Sequence, residues 1–227
     1  MRVILSILVL IVICLGIVSS LHRIPFGNPE TKIGKYCINK GREETGAANI
    51  VTSVVVNYRG FDTLGEVTIL FLAAIGLGSI LTSMSKWSQR KTEPASLILK
   101  TGCRFLLPLI LLFGAYIFIH GHLSPGGGFQ GGAIIASAFL LIYLTFHGKG
   151  MNETGSKVTE SSSGLIFILL GLIGLAVGNH YFLSNFLPKG QLNDLFSAGI
   201  IPLIYIAIGL KVGSELAKVI YNLMEKS

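Results

Sequence analysis

The sequence predicts an all-α integral membrane protein with about six transmembrane helices and a Gly-rich break between the third and fourth. Of its 227 residues, 51% are hydrophobic and only 13% are charged, about half the ~25% charged content of soluble domains. Mean hydropathy is +0.70. The apolar residues form unalternated runs approaching the ~20 residues a helix needs to cross hydrocarbon, unlike the alternating strands of a barrel. With no water in the bilayer core, the backbone must pair within the chain, which helices achieve.

The first run is Val3–Leu21, preceded by Arg2. Arg2, the apolar stretch and Ser19–Ser20 also fit a cleaved signal peptide, but the run is long for one, which favours a retained anchor. A polar stretch from His22 to Ala47 and a short apolar patch, Ile50–Val56, lead to the second run, Thr63–Met84. The third and fourth runs, Phe105–His120 and Gly131–Phe146, flank the Gly-rich break. The fifth is Gly164–Leu183, and the sixth starts near Leu195 and ends between Gly213 and Ile220. Ser85–Arg104 and His147–Ser163 are polar and read as extramembrane linkers.

With six spans the termini share a side. That side collects ten Lys and Arg residues against six on the other, so the positive-inside rule puts both termini in the cytoplasm and His22–Ala47 outside. The net charge of +7 follows from this distribution and implies no nucleic-acid partner. Cys14, Cys37 and Cys103 are odd in number and lack CxxC spacing, so neither a disulfide framework nor a zinc site is expected. No phosphate loop, dinucleotide fingerprint or hydrolase motif occurs, and no cofactor is expected.

The stretch from Asn49 to Glu66 holds the first candidate chemistry. Arg59, Asp62 and Glu66 would share a face on a continuous helix, but Gly60 can mark a bend from a surface helix into the span. Asp62 reads more simply as the N-cap of the second span. Glu66 lies deeper, where an ionised carboxylate costs up to about 2.5–3.5 kcal/mol, and such residues often mark ion pathways. A second reading has Glu66 only favouring the helix dipole.

The second candidate is His120-Gly-His-Leu-Ser-Pro-Gly-Gly-Gly-Phe-Gln-Gly-Gly132. The flanking runs are too short to span alone, so either helix geometry extends through His122 or the Gly-rich segment dips into the membrane region, buried by protein. A tight surface hairpin stays equally open. His120 and His122 suggest protonatable groups beside an ion path. A metal pair would need further ligands, and none cluster nearby. In the fifth span Gly174-x-x-x-Gly178 suggests close helix packing, with Gly171 and His180 nearby. In the sixth, Lys211 and Glu215 lie four apart. The simpler reading ends that span near Gly213 with Lys211 snorkelling to the interface, and the functional one makes Lys211 an intramembrane lysine. Asp194 reads as the N-cap of that helix.

The run from Gly121 to Gly132 closely resembles the signature of the MnhB/MrpB family, one of the small membrane subunits of Mrp-type (Mnh-type) multisubunit Na⁺/H⁺ antiporters, over about Ile98 to the C-terminus. Asn49–Glu66 resembles the tail of the large subunit of the same antiporters. The same modules recur in membrane-bound hydrogenases and sulfur reductases related to respiratory complex I. The resemblance implies a fusion, with residues 1–97 a two-span segment like the large-subunit tail and 98–227 a four-span MnhB/MrpB-like domain. It implies a non-catalytic transport subunit, with other membrane subunits as partners and H⁺ and Na⁺ as substrates. The Glu66 position would lie in the ion pathway. Arg59, Asp62, His120, His122 and Lys211 complete the candidate path, within either a dedicated antiporter or a redox-driven complex. A structural spacer whose polar residues only seal helix ends is the rival of another class.

Overall fold

The computed structural model describes residues 2–22, 32–83, 95–146, 153–178 and 181–225, and every regular element among them is helical. The chain divides into two compact units at Tyr36/Cys37. The first contains α1 (Arg2–His22), an unbroken apolar helix whose side chains from Leu5 on are exposed, as suits lipid as solvent. Its 21 residues extend about 31 Å at 1.5 Å per residue.

α2 (Lys32–Thr45) begins in the first unit and ends in the second. It is a polar helix within the stretch expected only to be extramembrane. α3 (Ile50–Thr52) follows, capped by the Asn49 side chain on the Val51 N–H. It runs into a π-helical segment, Ser53–Tyr58, that breaks at Arg59 (φ −125°, ψ 37°). The long helices are α4 (Gly60–Ser83), α5 (Leu97–Ile119), α6 (Gly128–Thr145), α7 (Glu153–Val177) and α8 (Ile201–Glu225). Together with α1, four of them (α4, α5, α6 and α7) are long and apolar enough to cross a membrane. α8 has the length, at 25 residues, but carries Lys211, Glu215 and Lys218. The chain is an all-α membrane protein.

α8 is the hub, packing against α4, α5, α6 and α7. Its buried residues Ile201, Ile204, Tyr205, Ile208, Val212 and Glu215 recur every three or four positions, the spacing of an inward stripe. The glycines near the break make this approach possible. A Cβ at Gly128 would lie 2.6 Å from Ile208, one at Gly132 2.8 Å from the Gly209 carbonyl, and one at Gly131 2.7 Å from that of Gly114.

Several boundaries differ from expectation. α5 stops at Ile119 instead of continuing through His122, and gains its length at the other end, starting at Leu97. Lys100 and Arg104 therefore sit on the helix and not in a linker, because long basic side chains at a helix end reach outward without breaking it. α7 starts at Glu153, inside the expected linker, and stops at Val177. The backbone then turns irregular through residues 181–200, where Leu183 and Ala198 have φ of 61° and 65°. Gly171, Gly174 and Gly178 accommodate this coil rather than a second helix, since added Cβ atoms would strike Phe182 and Ser184. His180 lies outside the described residues. Asp194 does not cap α8, which starts only at Ile201. Its carbonyl instead accepts the Ser197 N–H at 3.1 Å.

A candidate ion path in α8 and its surroundings

The four-residue spacing puts Lys211 and Glu215 one turn apart on the buried face of α8. Lys211 Nζ donates to Glu215 Oε1 at 2.5 Å, with side-chain exposures of 11% and 1%. The helix continues through Gly213, so Lys211 sits in mid-helix and turns inward. The snorkelling reading is corrected: the helix does not end there, and the ammonium pairs with Glu215 inside the bundle. Lys211 Nζ also stands 4.9 Å above the Phe71 ring of α4, where the π face attracts a cation. Gly164 of α7 lies alongside it, where even a Cβ would make only ordinary contact, at 3.5 Å from the Lys211 chain.

Along α8, Lys218 Nζ donates to Glu160 Oε2 of α7 at 3.3 Å. Lys211, Glu215, Lys218 and Glu160 thus form a row of alternating charge. Glu215 Oε2 is buried and has no hydrogen-bond partner among the described residues. A buried acceptor left unpaired costs about 1–3 kcal/mol and more if charged. α4 and α7 each pack on α8 and not on one another. The groove between them is a cavity of about 360 Å³ reaching Lys211 and Glu160, with Thr68, Phe71 and Ser161 on its walls. A proton added to Glu215, or removed from Lys211, unbalances its neighbours in a low-dielectric interior where such changes are felt strongly.

The Gly-rich turn is a buried, bonded structure rather than a surface hairpin. Asn49 Nδ2 donates to the carbonyls of Gly121 and Ser124, each at 3.0 Å. Its backbone N–H donates to the His122 carbonyl at 3.0 Å. Thr52 Oγ1 donates to the Gly121 carbonyl at 2.6 Å, and Tyr205 OH of α8 donates to Thr52 Oγ1 at 2.9 Å. Irregular backbone is tolerated at depth when protein satisfies it in this way. Gly121 is needed because a Cβ would meet the Tyr205 ring at 2.6 Å.

His120 ends α5, its ring stacked on Tyr116 with centroids 4.2 Å apart. His122 is fully buried. Its Nε2 lies 3.4 Å from the Asp194 carbonyl, and its Nδ1 has no partner among the described residues. Burial, helped by the charge of His120, holds the His122 pKa below the ordinary imidazole value against backbone hydrogen bonds that raise it. The ring is therefore neutral near pH 7.

Asp62 occupies the first turn of α4, which starts at Gly60, so it is not the N-cap. Its carboxylate is ion-paired with Arg59 on the exposed surface. Glu66 is also exposed, and no described residue bonds it. The structure thus pairs Arg59 with Asp62 and sets His120 and His122 in one turn. It buries Lys211 in the α8 row and leaves Glu66 apart on the outer face of α4. Sequence reasoning missed Glu160 and Lys218 as members of that row, and missed Asn49, Thr52 and Tyr205 as the clamp. The heptad spacing of Lys211 and Lys218 was a usable signal for the row.

Residues 98–218 match the family model described as a domain related to the MnhB subunit of Na⁺/H⁺ antiporter, and residues 1–93 match that of MbhE, one of the subunits of MBH. An uncharacterised protein of Methanocaldococcus jannaschii is 31% identical over 189 residues, 72% of each chain. A chain of the membrane-bound sulfane sulfur reductase, an archaeal respiratory membrane complex, superposes with a TM-score of 0.75 at 45% identity, covering 98% of both chains. A chain of the Mrp complex from Dietzia sp. shares the fold, with a TM-score of 0.73 at 24% identity over 98% of this chain and 26% of that one. The chain therefore belongs to the family of domains related to the MnhB subunit of Na⁺/H⁺ antiporters, and is a membrane subunit of the Mrp-type antiporter module.

Proposed function

We propose that the chain carries part of a cation/proton path, with H⁺ and Na⁺ as the exchanged ions and the Lys211–Glu215–Lys218–Glu160 row as the route. The observation that carries this reading is the buried Lys211–Glu215 pair. One Glu215 oxygen is unpartnered, and a groove reaches Lys211 from outside the bundle. Ionisable groups inside a membrane bundle are costly and typically mark ion or proton pathways. α8 crosses the membrane with its charges turned inward. Glu66 receives or passes the ion at the edge of the subunit, and the Arg59–Asp62 pair tunes the field there. His122, neutral with Nδ1 open, is a proton acceptor, and His120 lies beside it. Both termini face the cytoplasm, as labelling of a cysteine placed at the exposed Ile38 only from the opposite side would support. Residues 1–97 and 98–227 act as two fused parts, the first like the tail of the antiporters' large subunit.

The experiment is ion transport in membrane vesicles carrying the intact complex, with assembly checked by co-purification. Replacing Lys211 and Glu215 together by methionine removes the titratable pair without stranding a buried charge. The expected result is an assembled complex with transport abolished. Wild-type transport by an assembled double variant would remove α8 from the route.

A second reading concerns the parent complex. Identity of 45% across 98% of both chains, with a chain of the sulfane sulfur reductase complex, favours a module driven by redox chemistry on other chains. Iron–sulfur subunits co-purifying with this chain would support that parent, and a complex without them would support a dedicated antiporter.

A further inference from the structure

The outer face of α4 holds a charged group for which no described residue supplies a counterpart. Glu66 lies in the second turn of the helix, on the side where Ile69, Ala73 and Ile80 are exposed. Against lipid, an ionised carboxylate costs up to about 2.5–3.5 kcal/mol, the full figure applying at mid-span. The helix dipole offers little relief, because its effect fades beyond the first turn. That turn is already occupied by Asp62, which Arg59 pairs. The other membrane-embedded cation near α4, Lys211, is committed to Glu215. Gly65 and Gly76 are bare, and a Cβ added at either meets nothing within 4 Å. Glycine on a span surface lets a second helix backbone approach closely.

We propose that this face is covered by a transmembrane helix of a neighbouring subunit that presents a lysine, arginine or histidine to Glu66. The charge requirement specifies the occupant: an apolar helix or lipid alone would leave the carboxylate unpaired. The inference rests on the chain being one member of a larger membrane complex and does not depend on the route through α8.

The test places a photoreactive benzoylphenylalanine at Ile69 or Ala73 in the intact complex, with irradiation in native membranes and mapping of the adduct by mass spectrometry. The expected adduct joins a helix of another membrane subunit carrying Lys, Arg or His within about one turn of the linked residue. Glu66→Lys should then lower recovery of that subunit in detergent about tenfold, and exchange of its cationic residue for Glu should restore recovery. Adducts to lipid alone, to another segment of this chain, or to a helix without a cation in reach would overturn the proposal. So would a charge exchange that restores nothing. Should Glu66→Lys prevent the chain from folding, the adducts still decide, since they are made with Glu66 in place. Transport is not the readout, so failure here is separable from failure of the α8 route.

Discussion

α8 and α4 carry ionisable groups within long helices by opposite means. On α8 the charges face inward and balance one another, Lys211 with Glu215 and Lys218 with Glu160. On α4 the carboxylate of Glu66 faces outward, with no described residue to balance it. The difference follows from position. α8 packs against four long helices, so its polar side chains have protein around them. α4 packs chiefly on α8, and no described residue of this unit covers its far side. A membrane protein can neutralise internal charges by itself, but a charge on its rim defines a requirement for the next chain.

The largest expected effect comes from splitting the α8 pair. Lys211→Met leaves the Glu215 carboxylate buried without its cation, and removing one partner of a buried pair typically costs about 3–5 kcal/mol. Lys211→Met with Glu215→Met should recover most of that loss, because apolar replacements of a buried pair are often neutral. The measurement is thermal loss of this chain from the detergent-extracted complex. A single variant as stable as wild type would mean that the pair is solvated, and the contrast between the two helices would collapse.

A smaller effect tests whether close packing by glycine keeps the α8 charges internal. Gly128→Ala places a Cβ 2.6 Å from Ile208 and 2.9 Å from the Tyr205 carbonyl. The second contact is backbone, so α6 and α8 must separate. Overpacking of this kind costs about 1–3 kcal/mol. Gly102→Ala, at an open position of α5, should cost the packing nothing, since nothing lies within 4 Å of its Cβ. Equal losses from the two in the same thermal assay would erase the distinction between inner and outer faces.

Much of this architecture was legible in the sequence. Apolar runs located the spans, and six glycines and a proline between His120 and Gly132 located the break. Helix ends were not legible, because Lys100, Arg104 and the polar start of α7 look like linker although helices tolerate such residues. Lys211 and Glu215 were visible as a four-residue pair, but the inward direction of Lys211 shows only once Phe71 of α4 stands against its ammonium. Glu160 was hidden in a polar stretch, and only packing against α8 makes it interior. The clamp on the Gly-rich turn joins Asn49 and Thr52 to Gly121, about seventy residues away, and no local pattern announces such a bond. Glu66 was singled out by its depth and by the resemblance, and which side of α4 it occupies required the fold.

The smallest expected effect is a pH dependence that separates the buried turn from the rim carboxylate. His122 is neutral in the fold, and burial holds its pKa below the 6.5 at which an imidazole ordinarily titrates. Around it are the neighbouring His120 and the backbone carbonyls of Ile119, Asp194 and Leu195, and the charge of His120 acts in the same direction as burial. In the unfolded chain His122 titrates near its ordinary value. As pH falls below 6.5, the unfolded chain therefore binds a proton that the fold resists, and stability falls with pH. The loss grows until the folded-state pKa is reached and is absent above 6.5. His122→Gln removes the titrating group, so its thermal stability should lose this slope while Glu66→Gln keeps it. The comparison is of midpoints for each variant complex between pH 7.5 and 5. A slope unchanged in His122→Gln but flattened in Glu66→Gln would reassign the acid sensitivity to the outer face of α4 and make the carboxylate, not the buried turn, the pH-responsive element.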